Sequence, residues 1–558
     1  MNALNVGPEL VKRFQRLKSD RSSFESWWQD TADFVIPRKG QITSSRNPGT
    51  RQDDRIVDDS PGFYLHVLAA GLNTFLTSQV NRWFDLRTRN DALMKIHSVK
   101  EWLDDVEDSM YSCFNATNAP LEIYEMYEDL GSFGTSILWI GEGSMRGRSK
   151  DLAVFRAIPV SECALAENAD GFVDTVFRDI TMTARQAIQT WDEGKLSQEI
   201  REAGEKEPDK PFQFLHVVMP REEVKGQAYR PKLAKPWASY YIDQKIKSVI
   251  DEGGFDEMPF ITCRWLKSSG EIYGRSPAMT SLREVRMLNR MRETVIRAGE
   301  KVVDPPLNVP DDGVMGRIRI NPGAINYIRT ATMVAGGAPS PMASTARVDI
   351  GIELVKDSDA KIQRAFFVDL FLTLMQEGPQ MTATEVMQRM DEKMAVLGPV
   401  LGRLQFEFLR PMIDRVFGIL YRSGEIMDPP EELAGEEIDV EYVSPLVRAQ
   451  KSYESRAIER TIGSIGPLAQ LDPGILDNFD MDKTAMYMAD LYGYPERLKR
   501  SEDDIAQMRK DRAEQQHAQQ QGQDALAVAQ AAGQAAPALK LMQGGMGGQG
   551  AKPMAQVA

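Results

Sequence analysis

The chain has 558 residues, of which 42% are hydrophobic and 27% are charged. This length is too great for one hydrophobic core, so we expect two or three packed regions with the composition of a soluble globular protein. The net charge of −14 has the wrong sign for tight binding of nucleic acid, because that binding needs an excess of lysine and arginine at the contact surface.

Cysteine spacing and hydropathy argue against two further classes of protein. Cys113, Cys163 and Cys263 lie far apart and form no CxxC pair, so neither a disulfide framework nor a zinc knuckle is expected. Residues 1–9 lack the charged head and apolar run of a signal peptide, and no stretch reaches 18 uninterrupted apolar residues. We therefore expect neither secretion nor a membrane span.

The N-terminal part of the chain has the apolar spacing of helices. Apolar residues recur at helical intervals from Leu10 to Phe34, and Pro37 ends this pattern. Ser60-Pro61 supplies an N-cap and a first-turn proline for a helix that continues to Leu76. Two more helices are predicted around Trp102–Phe114 and Leu121–Leu130.

The pattern changes to alternation between about Ile137 and Leu266, where β-branched and aromatic residues cluster in short runs. This region is predicted to contain much β-structure. Within it, Asp251-Glu252-Gly253-Gly254 is typical of a turn, and it predicts a hairpin between the runs on either side.

Helical spacing returns at Ser276-Pro277, again a cap and a first-turn proline, and continues to Val303. Such a helix is roughly 40 Å long at 1.5 Å per residue. A proline- and glycine-rich segment follows, and a second helix is predicted from Ile350 to about Leu374. Two long helices around a small insertion form a hairpin-like stalk with a tip.

A breaker, residues 376–380, precedes the longest periodic stretch, Thr382 to Tyr421. Pro399 lies inside this stretch and cannot donate a helical hydrogen bond, so a kink is predicted at Gly398-Pro399. Further helices are predicted within residues 448–514. From Gln515 the chain is rich in glutamine, alanine and glycine, and it is either disordered or held by neighbouring copies.

Motifs for catalysis are missing from the sequence. There is no GxxxxGK[ST] loop for a nucleotide and no GxSxG elbow for a serine hydrolase. The chain has four histidines, which form neither an HExxH nor an HxH motif: His66, His97, His216 and His517. We expect no catalytic residue, no metal and no cofactor. The acidic pairs Asp53-Asp54 and Asp58-Asp59 could hold Mg²⁺ in a nuclease, but a solvated loop and helix N-terminus explain them better.

The first long helix mixes both signs of charge. Its members are Arg283, Arg286, Arg290, Arg292 and Arg297 together with Glu284, Glu293 and Glu300. This mixture favours ion-paired contact between copies of the chain over a track for phosphates.

Several separate strings, in the expected order, give the chain a resemblance to the podovirus portal protein family, the bacteriophage head-to-tail connecting proteins. They are YGRSP from Tyr273, DPPLNVPDDGV from Asp304, NPGAINYIR from Asn321, MTATEV from Met381, LGPVLGRL from Leu397 and VEYVSPL from Val440. The resemblance covers about residues 5–500.

This resemblance implies an α+β fold, mainly α, with the portal architecture of wing, long-helix stem, small β-containing clip and helical crown. The implied regions are a wing at 1–275, stem helix 1 at 276–303, a clip at 304–349, stem helix 2 at 350–373, a tunnel loop at 374–382, a kinked long helix and return to the wing at 383–447, crown helices at 448–514 and a low-complexity tail at 515–558.

The resemblance also implies a function: a structural protein, not an enzyme, in a dodecameric ring at one capsid vertex. The ring would form a channel for packaging and ejection of double-stranded DNA. Implied partners are terminase during packaging, major capsid and scaffold proteins, and tail adaptor proteins at the clip, with no membrane. The implied location is the head-tail vertex of the virion, after assembly in the host cytoplasm.

The candidate channel-facing residues are Gln376, Glu377, Gly378, Pro379, Gln380 and Met381. The alternative for these residues is an ordinary connection between helices outside the channel. Two other functions stay open at this point: a nuclease with a dispersed carboxylate site, and a different structural protein of the tail or scaffold.

Overall fold

The structure is a computed structural model that describes most of the chain up to residue 519. The described residues are 6–43, 49–51, 55–90, 92–143, 153–221, 234–303, 307–308, 340–341, 348–375, 397–433, 438–442, 458–465, 474, 478–491, 494, 498–500, 504–517 and 519. Within them the protein is an α+β protein that is mainly helical, and the predicted fold class is confirmed.

The described elements follow in chain order. The helices are α1 Val6–Asp20, α2 Ser22–Val35, α3 Ser60–Leu76, α4 His97–Ala116, α5 Ala119–Phe133, α6 Ala184–Thr190, α7 Gln198–Lys206, α8 Pro277–Val303, α9 Val348–Ala365, α10 Val368–Met375, α11 397–404, α12 Arg410–Ser423, α13 458–465, α14 Met481–Leu491 and α15 504–517. The strands are β1 Phe84–Thr88, β2 Thr135–Glu142, β3 Ala153–Ile158, β4 Cys163–Glu167, β5 Val173–Thr183, β6 Pro211–Pro220, β7 Trp237–Asp243, β8 Ser248–Phe255, β9 Phe260–Arg264, β10 Leu307–Asn308, β11 Ser340–Pro341 and β12 Ile438–Tyr442.

The main hydrophobic core surrounds α5, which is buried without interruption from Met126 to Phe133. Helices α2, α3, α4 and α8 pack against it, together with strands β2 and β3. Gly134 ends α5 with a φ of 74°, a backbone conformation that glycine adopts without steric cost. The chain then turns directly into β2, the central strand of the antiparallel sheet β3-β2-β9.

A second sheet, in the order β4-β5-β6-β7-β8, is covered on both faces. Successive residues of a strand point to opposite faces, so Leu215 packs under α1 while Phe214 packs with Trp191, next to α6. The sheet is antiparallel throughout, and the predicted β-rich region is confirmed.

The turn predicted at Asp251–Gly254 is wrong. These residues lie inside β8, where Gly253 pairs with Ser239 and Gly254 with Ala238. The real turn joins β7 to β8 through residues 244–247, and Lys247 there has a φ of 56°. β8 is an edge strand, and a Cβ at Gly253 would meet nothing within 4 Å, so the glycine is tolerated without a turn.

The long helical stretch near Pro411 contains an irregularity, a π-helical turn at Gln405–Leu409 between α11 and α12. Pro411 has no N–H to donate to residue 407, and a π-turn relieves this mismatch. Pro399 lies in α11, two residues after the first described residue of that helix. The kink predicted at Gly398-Pro399 stays a prediction, because residues 376–396 lie outside the described part.

Candidate functional site: the paired long helices

Helix α8 begins at a tightly packed junction with the end of α5. The Ser276 hydroxyl accepts a hydrogen bond from the Met279 N–H at 2.9 Å, so the predicted cap is present, and it donates to the Ser132 carbonyl at 2.7 Å. A Cβ at Gly274 would overlap the carbonyl oxygen of Gly134. The YGRSP string therefore contains the two residues that set the position and direction of α8.

Helices α8 and α9 pack antiparallel against each other. The first half of α8 is buried through Leu282, Val285 and Leu288, and the helix then continues out of the core. On the return helix, Gly351 allows close approach, because a Cβ there would lie 2.7 Å from Val295 Cγ2. The predicted hairpin of two long helices is present in the described residues.

Two arginines of α8 form ion pairs with the N-terminal part of the same chain, one with α2 and one with the residues just before α3. Arg286 forms an ion pair with Asp30 at 2.7 Å, and its guanidinium lies 5.5 Å from the ring centroid of Phe34. Arg292 pairs with Asp58 at 2.8 Å. Burial alone would raise the pKa of Asp58, but hydrogen bonds from Ser60 and the charge of Arg292 lower it below its usual value.

The other arginines of α8 behave differently. Arg297 pairs with Glu293 on its own helix at 2.6 Å. Arg283 and Arg290 form no ion pair with any residue that the structure describes. The sequence grouped all five arginines as contacts between copies, whereas Arg286 and Arg292 serve contacts inside one subunit.

The Tyr64 hydroxyl joins α3 to α9. It donates to Asp359 Oδ1 at 2.7 Å and accepts from Gln363 Nε2 at 2.8 Å. Burial, and then the nearby Asp359 carboxylate, raise the pKa of Tyr64 to about 12. A cleft of about 450 Å³ lies beside this network and is lined by Asp59, Ser60, Phe63, Tyr64, Gln363, Val368 and Leu372.

The second long helix is broken before its predicted end. Phe367 has a φ of 57° and separates α9 from α10, whereas the sequence predicted one helix from Ile350 to Leu374. The Phe371 ring of α10 lies against Gly71 of α3, and even a Cβ at Gly71 would overlap that ring. The break lets α10 turn onto α3.

The predicted tunnel-loop residues Gln376, Glu377, Gly378, Pro379, Gln380 and Met381 lie outside the described residues. They directly follow Met375, the last residue of α10. Of the predicted clip, the structure describes β10 and β11, which pair antiparallel through Leu307 with Pro341 and Asn308 with Ser340, and residues 348–349, which begin α9. The roles predicted for both segments stay predictions.

A buried ion-pair cluster that the sequence analysis missed connects β9 to the π-turn. Arg264 is only 2% exposed and binds both oxygens of Glu407, at 3.1 Å from Nε and 2.7 Å from Nη2. Its Nη1 also contacts Glu167 of β4. The π-turn places Glu407 inward at this cluster.

Two other candidates from the sequence, Asp58 and His216, have structural roles, whereas Asp53 and Asp54 lie outside the described residues. Asp58 is committed to Arg292, and no group of three or more metal-ligating side chains occurs within the described ranges. His216 stacks on Tyr241 at 4.1 Å, and burial lowers its pKa to about 3, so it stays neutral. None of the helices that the structure describes has the length and apolar character needed to cross a membrane.

Comparisons with known proteins define the class. The family described as bacteriophage head to tail connecting protein matches residues 8–499. The chain belongs to this bacteriophage head-to-tail connecting family. Its function is that of a portal, a structural component of the connection between phage head and tail.

Individual relatives agree with this membership. The chain is 31% identical to the portal protein of Salmonella phage epsilon15 over 95% of its own length and 94% of that protein. It is also 31% identical to a probable portal protein of Bordetella phage BPP-1, over 92% of both chains. The portal protein of Escherichia phage T7 is 22% identical over 75% of both chains.

Proposed function

We propose that this chain assembles into a ring of twelve subunits at a single capsid vertex and that the ring encloses the channel for double-stranded DNA. The observation that carries the ring is the outer half of the α8–α9 pair, which exposes large apolar side chains. They are Ile296, Val302 and Val303 on α8 and Ile350, Ile352 and Leu354 on α9.

These side chains are costly to leave in water. Val303 is 86% exposed and Leu354 is 53% exposed. Full burial of one such side chain contributes about 1.5–3 kcal/mol, so an interface that covers several of them would be stabilised by their burial. Contact with neighbouring subunits would bury them, and a closed ring repeats the same contact at every interface.

Passage of DNA through the ring would rest on confinement rather than on tight binding. Each subunit has a net charge of −14, so a ring repels phosphate overall and a duplex in the channel stays mobile. The chain would act passively, without catalysis, while a separate terminase drives packaging from a dock near the clip. Tail adaptor proteins would bind at the clip after packaging, and capsid and scaffold proteins would contact the ring during assembly in the host cytoplasm.

The segment after α10 is the candidate contact with DNA. Gln376 to Met381 would form loops that touch the duplex and resist its escape. Deletion of residues 376–380 should reduce DNA retention in assembled particles while leaving the rings intact. A variant with the same number of glycine and serine residues in place of 376–380 controls for chain length. Unchanged packaging and retention in the deletion variant would refute this role.

The experiment for the function as a whole is electron microscopy of the purified protein in negative stain. We expect rings with an axial hole. A different oligomer would support another structural protein of the tail or scaffold. Magnesium-dependent cleavage of a plasmid by the purified protein would support a nuclease and contradict the proposal.

A further inference from the structure

One face of α8 carries a stripe of positive charge. Residues separated by four and then three positions share a helix face, and all members of this stripe are exposed. The stripe consists of Arg283, Met287, Arg290, Thr294, Arg297 and Lys301. It includes no acidic residue, although the chain as a whole has a net charge of −14.

Two arginines of this stripe have no ion-pair partner among the described residues. Arg283 and Arg290 form no ion pair with any described residue, in contrast to Arg286 and Arg292 on the sides of the helix. Arg297 pairs with Glu293, but both side chains are well exposed, at 71% and 41%. Exposed pairs of this type are weak, so Arg297 can exchange its partner readily.

The outward face of α9 carries the opposite charge near its start. Ile350, Glu353 and Asp357 follow one another at intervals of three and four residues, and all are exposed. Glu353 forms no ion pair with any residue in the described ranges. Asp357 pairs with Lys361 at 2.8 Å, again between exposed side chains.

The two charged faces match in position along the hairpin. Gly351 contacts Val295, and the two helices are antiparallel, so a step forward along α9 corresponds to a step backward along α8. Two steps from this contact, Glu353 is level with Glu293, which lies between Arg290 and Arg297. Six residues from the same contact bring Asp357 level with Asn289, one residue from Arg290. Lys356 comes level with Arg290 itself, but it lies about 100° around α9 from Asp357. The electrostatic contact of Lys361 with Glu284 agrees with this register to within one residue.

The inference rests on the proposed ring. In a ring, equivalent residues of all subunits lie at the same position along the ring axis, because the subunits are related by rotation about it. Each interface joins one surface of a subunit to a different surface of the next. We infer that Arg290 and Arg297 on α8 of one subunit form ion pairs with Glu353 and Asp357 on α9 of the next. Both subunits would thereby be held in one axial register.

A protein partner fits this surface better than DNA does. Met287 lies within the basic stripe, and Ile350 and Leu354 border the acidic residues, all three at least 42% exposed. Apolar side chains of this size gain from burial against protein and not from contact with phosphate. The match is confined to the outer half of the hairpin, because Arg364 of α9 lies level with Arg283, where both charges are positive.

Two charge-reversal variants of the full chain test the inference. One carries Arg290→Glu and Arg297→Glu, and the other carries Glu353→Arg and Asp357→Arg. Each variant alone should need a concentration at least about tenfold higher for half-maximal ring assembly, measured by mass photometry, because attraction becomes repulsion at every interface. A 1:1 mixture should assemble close to the wild-type concentration, because alternating subunits place opposite charges together again.

The control is Arg201→Glu on α7, an exposed charge away from both stripes, which should assemble like the wild type. Far-ultraviolet circular dichroism checks that each variant is folded. Folded variants that assemble like the wild type, or a mixture that does not recover, would overturn the pairing alone. Rings that form normally but no longer retain DNA would show that the basic stripe contacts DNA phosphates, and this result would also overturn the pairing between subunits. A wild-type protein that forms no ring would overturn the proposed function as well.

Discussion

Replacement of Arg264 by alanine should be among the most destabilising single changes in the described part of the chain. The Arg264 guanidinium donates to Glu407, to Glu167 and to the carbonyl oxygens of Ile272 and Gly171, so all three of its nitrogens have partners. The Arg264→Ala change removes the guanidinium that pairs with the Glu407 carboxylate, and the Glu407 side chain is only 8% exposed.

The expected loss of unfolding free energy depends on which partners Glu167 and Glu407 keep after Arg264 is removed. Glu167 keeps an ion pair with Lys267 at 2.7 Å, so its charge stays compensated. Glu407 keeps the backbone N–H of residue 264 at 3.0 Å, and its one charged partner among the described residues is then Arg403, at 3.5 Å on the more exposed side of the cluster. Breaking one partner from a buried pair costs about 3–5 kcal/mol, and we expect a loss in this range.

Urea unfolding monitored by tryptophan fluorescence measures this loss, with wild type and variant at the same protein concentration. Trp265 follows Arg264 directly and is 2% exposed, so it reports on this region. Lys195→Ala is the matched control, because Lys195 and Asp251 pair at 2.6 Å with side chains 49% and 42% exposed, and its loss should cost less than about 1 kcal/mol. A similarly small loss for Arg264→Ala would refute the reasoning.

Two further changes have defined outcomes. Gly274→Ala forces a Cβ onto the Gly134 carbonyl oxygen, so the backbone must shift and we expect a loss of about 2 kcal/mol or more in urea unfolding; wild-type stability would contradict this contact. Burial raises the pKa of Glu107 from an ordinary 4.5 to about 8, although the Leu86 N–H bound to it and the charge of Arg82, at 3.0 Å, oppose the shift. Between these pH values the folded carboxyl keeps its proton and the unfolded one releases it, so this group lowers stability as pH rises from about 4.5 to 8. Glu107→Gln keeps an acceptor for Leu86 and should show a smaller fall in melting temperature from pH 5 to pH 8, and an unchanged pH dependence would count against the raised pKa.

Local sequence signals predicted the paired helices well. Ser276-Pro277 marks the start of α8 in the structure, because a capping hydroxyl and a first-turn proline act within one turn of the helix. The turn predicted at Gly253-Gly254 was wrong because the meaning of those glycines depends on the rest of the sheet. Glycine also fits an edge strand, and whether a strand lies at an edge depends on the whole sheet.

Local sequence patterns could not predict the helix break at Phe367 or the buried pair of Arg264 and Glu407. Phe367 adopts a left-handed conformation between α9 and α10, but no glycine or proline marks that position. Arg264 and Glu407 are 143 residues apart, and nothing in their neighbourhoods signals that they meet. The tunnel-loop residues Gln376 to Met381 remain a prediction from family resemblance and from their position after α10.

The central claim is that the chain forms a ring around a channel for DNA. A cryo-electron microscopy reconstruction of the purified full-length protein tests it most directly. We expect a closed ring with an axial hole wide enough for a DNA duplex, with α8 and α9 of neighbouring subunits in contact along the wall. Monomers, open filaments or a ring without an axial hole would contradict the claim.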